Sequence, residues 1–148
     1  EAARQAADAE AVIGFCTPEL LAQATRLRWV QLMSAGVESC LAIPALRAGG
    51  VDPSQVIIVS ADGNKSAYER IRAGGQYQVV TASEPYKMQG YQAIDELNRA
   101  FHKMPPSGFV QTPYLVTPEN INAEGGDKNT FIPSNDYEKH YLALWGVK

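Results

Sequence analysis

Apolar runs of strand length alternate along the chain with stretches whose apolar residues recur at helical spacing. Ala11–Phe15, Leu27–Met33, Val56–Val59, Tyr77–Thr81 and Phe109–Val116 read as strands. Val56-Ile57-Ile58-Val59 is β-branched throughout, the pattern of a strand covered on both faces. Pro113 lacks a backbone N–H and predicts an edge position for the last strand. Between the runs, Thr17-Pro18-Glu19 opens a helix with an N-cap hydroxyl, a proline at the first helical position and a carboxylate in the first turn. Val37–Leu46 carries a helical face that Pro44 disturbs. Ser66-Ala67-Tyr68-Glu69 is a capping-box pattern. The longest predicted helix, Tyr86–Phe101, contains Tyr86, Met88, Tyr91, Ile94, Leu97 and Phe101. Residues 117–134 are loop by composition. Tyr137, Tyr141, Leu144 and Trp145 predict a terminal helix packed back on the body as core cover. Arg-Ala-Gly-Gly occurs at 47–50 and again at 72–75, each time between a helix and a strand, where glycine closes a helix end.

Strand–helix alternation at this spacing predicts an α/β fold: a single doubly wound, flavodoxin-like domain over 1–148, with 117–148 as its tail. Its mostly parallel sheet should have about five strands, covered by helices on both faces. Ligands of such sheets sit beyond the carboxyl ends of the strands. Those ends are Cys16-Thr17, Ser34-Ala35-Gly36-Val37, Ala61-Asp62-Gly63-Asn64 and Ala82-Ser83-Glu84.

Composition narrows the function. With 45% apolar and 20% charged residues, the 148-residue chain has the mix of a globular protein. A net charge of −3 supplies no basic field, so nucleic acid is not an expected partner. No apolar run approaches the roughly 18 residues of a membrane span. The first residues carry neither Met nor an apolar leader, which predicts a segment taken from something longer. Cys16 and Cys40 have no metal-ligand spacing, and free thiols are the expected state. Residues 1–50 contain no Lys, Tyr or Asn but 12 Ala, whereas 51–148 contain 6 Lys, 7 Tyr and 6 Asn. Chance in a short chain and a join between pieces of different ancestry both produce such a shift.

Two resemblances favour the join. Ala9 to Gly49 resembles the substrate-binding domain of D-2-hydroxyacid dehydrogenases. Ala11–Phe15, Pro18–Leu21, Leu27–Glu38 (LRWVQLMSAGVE) and Pro44–Leu46 carry the likeness. It implies that the turn Ser34-Ala35-Gly36-Val37 offers backbone N–H groups to a carboxylate. Val51 to Lys148 is similar to the C-terminal part of type I periplasmic sugar-binding proteins. Val56–Gly63, Ala67–Gly74, Val79–Thr81 and Glu84–Gly90 carry that likeness. It implies that Asp62 hydrogen-bonds sugar hydroxyls. The position before the proline, often Gln in that family, also reaches the sugar and is Glu84 here. Neither resemblance crosses Gly49–Val51, so the two together predict an artificial chimera with its seam in a helix-to-strand loop near Gly50.

The residues for catalysis do not assemble on paper. No G-x-G-x-x-G occurs, so no nicotinamide or other cofactor is expected, and no metal. The dehydrogenase family's catalytic Arg, Glu and His have no counterparts here. His102 reads as a helix-end residue, His140 as part of the tail, Cys16 as a buried thiol and Ser34 as turn chemistry. Asp62 is the leading candidate for ligand contact, followed by Asn64 and Glu84. Its competing role is to organise the turn or cap the next helix. The expected function is that of an engineered scaffold without evolved catalysis. The alternatives are a sugar- or polyol-binding module and a dehydrogenase fragment. Expected partners are weakly held sugars, polyols or small anions. Exposed sheet edges predict self-association.

Overall fold

Thr17 has extended backbone and its hydroxyl accepts the Leu20 N–H at 3.3 Å, which with Pro18 starts the first helix where the sequence places it. The computed structural model describes residues 6–14, 16–33, 37, 40, 52 and 54–147. Their elements are β1 (Ala11–Ile13), α1 (Pro18–Gln23), β2 (Trp29–Gln31), β3 (Ile57–Asp62), α2 (Lys65–Ala73), β4 (Gln78–Ser83), α3 (Tyr86–Phe101), β5 (Tyr114–Val116), a 3-10 turn (Gly126–Lys128) and α4 (Tyr137–Leu144). The predicted helix over 37–46 and the predicted seam near Gly50 lie outside the described residues, apart from Val37 and Cys40.

The five strands form one sheet in the order β1-β2-β3-β4-β5. All neighbours are parallel except β4 and β5, so the architecture is a mostly parallel α/β sheet of the flavodoxin-like class. Register aligns Val12 with Val30 and Val30 with Ile58. These three residues are buried, and α1 covers the first of them through Leu20. Val30 and Ile58 share a core with Leu32, Val37, Cys40, Val56 and Tyr77. α2 covers the same face further along, where Tyr68 and Ile71 pack on Val116 and Ile121.

Four sequence expectations need correction. Cys16 and Cys40 are joined in a disulfide with their Cα atoms 5.4 Å apart, rather than being free thiols. One follows β1 and the other follows β2, and parallel neighbouring strands deliver their carboxyl ends to the same edge. The α2 cap is Asn64, whose side chain accepts the Ala67 N–H at 2.8 Å, while Ser66 lies inside the helix and Glu69 pairs with Lys65. Asn is at least as good a cap as Ser, and it comes two positions earlier. The last strand is only Tyr114–Val116, because Pro113 stops the ladder and Gln92 instead takes the Phe109 carbonyl at 2.8 Å. Finally, β3 is buried on one face only, with Ile57 exposed and Ile58 fully buried.

The tail docks. Arg72 reaches from α2 to the Gly126 carbonyl at 2.7 Å, and Tyr114 stacks on Phe131 at 5.1 Å between ring centroids. Tyr91 of α3 stacks on Trp145 at 5.8 Å and meets Tyr137 edge-on at 5.7 Å, so the terminal aromatics are core cover. Closing a loop of this size predicts that reducing the disulfide lowers stability by about 3 kcal/mol. Urea unfolding with and without reductant measures this, and coincident curves would mean that the thiols are not paired.

Candidate functional site

The carboxyl ends of β3 and β4 bring Asp62, Asn64 and Glu84 to one place. Asp62 pairs in register with Ser83, and the Glu84 N–H donates to the Asp62 carbonyl at 3.1 Å. Asp62 has φ 71°, a left-handed conformation that costs a non-glycine residue roughly 1–2 kcal/mol, least for Asp and Asn. The next residue has to be glycine. A Cβ on Gly63 would lie 2.1 Å from the Ser83 hydroxyl oxygen and 2.8 Å from the Ser83 Cα. That close crossing turns the chain over the end of β4 and directs it into α2.

The three side chains are committed to different degrees. The Asn64 oxygen caps α2, which leaves its amide N–H groups for other use. One Glu84 carboxylate oxygen accepts from Gln89 Nε2 at 2.9 Å. The role of helix cap falls to Asn64, while Asp62 keeps the other competing role of organising the turn through its left-handed backbone. Tyr86 completes the group and was not singled out in the sequence. Partial burial raises its phenol above the ordinary value, and the charges of Asp62 and Glu84 push the same way. A tyrosine following a strand-end Glu-Pro was the available signal.

Beneath the site lies a buried polar row between β3 and β4. Gln78 Nε2 donates to Ser60 Oγ at 2.7 Å, Ser60 donates to Thr81 Oγ1 at 2.8 Å, and the Tyr68 hydroxyl bonds Ser83 Oγ at 3.2 Å. Arg70 Nε donates to Gln78 Oε1 at 2.5 Å and brings a cation to one end of the row, while burial pushes the Tyr68 phenol up and keeps it protonated at ordinary pH. A satisfied network of this kind fixes strand register and holds the site rigid from below.

The remaining candidates are not brought to this place by the described residues. Ser34, Ala35 and Gly36 lie outside them, and Val37 is fully buried in the core. Cys16 is disulfide-bonded, which removes it as a nucleophile. His102 ends α3 with Nδ1 2.9 Å from the Asn98 carbonyl oxygen. His140 lines a separate cavity of about 280 Å³ between α3 and α4, together with Asp95, Arg99, Phe109 and Tyr141. Asp95 there accepts from Arg99 and from Trp145 Nε1 at 2.8 and 3.0 Å, and these bonds hold its carboxyl below the usual range. Among the described residues no His, Cys, Asp and Glu side chains gather as a metal site, and no helix is long and apolar enough to cross a membrane.

No protein-family model matches this chain, and no curated protein matches it.

The juxtaposition at the strand ends has a titration signature. Asp62→Asn removes one of the two negative charges facing Tyr86, so its pKa falls toward the ordinary phenol value while the burial contribution remains. NMR titration of ring-labelled tyrosine reads this directly, and an unmoved Tyr86 would separate the two residues.

Proposed function

We propose that the chain is a non-catalytic α/β scaffold built from two fragments, in which a remnant of a polyol site survives at the ends of β3 and β4. The observation that carries this reading is the pairing of β2 with β3. Trp29-Val30-Gln31 and Ile57-Ile58-Val59 stand on either side of the compositional break, yet they match residue for residue and bury one core between them. A join in the connection between two such strands preserves the pleat and hydrogen-bond pattern of both parents. Two of the side chains weighed for nucleophile or base chemistry are engaged elsewhere, Cys16 in the disulfide and His102 at its helix end, while His140 lines the cavity between α3 and α4.

A second reading, a sugar- or polyol-binding module, is favoured by Asp62. Its strained backbone sits beside Glu84 and Tyr86 at the end of the sheet where α/β proteins hold ligands. Magnitudes decide between the two readings. Two or three hydrogen bonds worth roughly 0.5–1.5 kcal/mol each, from one open wall, stand against an association cost of roughly 4–15 kcal/mol. Gain and cost barely balance at best, so binding no tighter than millimolar, about −4 kcal/mol, is the expectation.

Calorimetric titration with ribose, xylitol and lactate, repeated on Asp62→Ala, tests this. The scaffold reading expects dissociation constants in the millimolar range or weaker, and no turnover of 2-hydroxy acids with nicotinamide cofactors. Micromolar sugar binding abolished by Asp62→Ala would replace it with the binding-module reading.

A further inference from the structure

We propose that a second copy of this chain covers the open face of the sheet, with α3 of each protomer laid across β1–β3 of the other. The register places Ala11, Trp29 and Ile57 in one row and Ile13, Gln31 and Val59 in the next, on the face opposite Val12, Val30 and Ile58. Ile13 is 65% exposed, Trp29 45% and Ile57 43%. A parallel sheet is ordinarily covered on both faces, and α1 and α2 both lie on the other one.

α3 has the matching defect. Met88, Tyr91 and Asp95 face α4 and the tail, held by the Tyr91–Trp145 stack and the Asp95–Trp145 hydrogen bond. Tyr86, Ile94, Leu97 and Phe101 recur at helical spacing on the opposite side, 54%, 56%, 59% and 82% exposed. A helix with two apolar stripes needs two partners, and α4 is one. The attachment to α4 and the tail leaves the second stripe in solvent within its own protomer.

Size and symmetry agree. Two strand spacings of about 4.8 Å make the three-strand face about 10 Å wide, the diameter of one helix. A large apolar side chain offers on the order of 200 Å² when fully exposed, so the exposed fractions of these seven residues amount to roughly 800 Å². A stable interface buries about 800 Å² per partner. One helix stripe and one sheet face per chain form a self-complementary pair, which a two-fold axis satisfies twice and then closes.

Sedimentation equilibrium of the intact chain at micromolar concentration tests the proposal, with far-UV circular dichroism to verify folding. The expected result is a closed dimer, weakened at least tenfold by Leu97→Glu on the helix and by Ile57→Glu on the sheet. Mixing the two variants should restore dimer partly, because the mixed pair keeps one intact helix-on-sheet contact. A monomeric wild-type chain would overturn the proposal, as would a mass that climbs beyond two copies. Folded variants that still dimerise, or a mixture that stays monomeric, would overturn the reciprocal geometry.

Discussion

Parallel pairing of β2 with β3 sets Val30 against Ile58 and makes one core from two stretches of unlike composition. The ladder is continuous there, with the Ile57 N–H donating to the Arg28 carbonyl at 2.8 Å and the Leu32 N–H to the Val59 carbonyl at 3.0 Å. Register across this pair decides which side chains point inward, since a slip of one residue would exchange the two faces. Everything further along inherits that choice: Ser60 and Thr81 under α2, Tyr68 against Ser83, and Asp62 at the strand end.

The same register produces an uneven sheet. One face carries α1, α2 and the disulfide-linked edge, while the other shows Trp29, Ile57 and Ile13 to solvent. Polar chemistry is likewise gathered at one end. Three side chains with partly free hydrogen-bonding capacity stand on a hydrogen-bonded network, but they form a single wall. Such a wall presents hydrogen-bonding groups from one side only.

Much of this was legible in the residues, and the failures have physical causes. α3 runs over Tyr86–Phe101 as predicted because its apolar residues keep helical spacing over four turns. Thr17-Pro18 marks α1 through local capping chemistry that needs no tertiary partner. The strands were placed within a few residues, but their burial was not. A β-branched run such as Val56–Val59 signals apolarity on both faces and cannot report whether a second layer arrives. The disulfide was invisible for a similar reason, since sequence spacing is silent about which residues beyond β1 and β2 meet in space. Strand-end position grouped Asp62, Asn64 and Glu84 in the sequence, and the structure brings them to one end of the sheet. The left-handed backbone of Asp62 goes with the close crossing of Gly63 over Ser83, a tertiary contact that strand-end position does not report.

The central claim is that the two halves fold as one unit through the β2–β3 ladder. Native-state hydrogen exchange resolved by residue tests it most directly. Amides on both sides of the compositional break, Leu32 before it and Ile57 and Ile58 after it, should exchange through one global opening with a common free energy. Two separate opening energies, one for residues before the break and another for residues after it, would contradict the account.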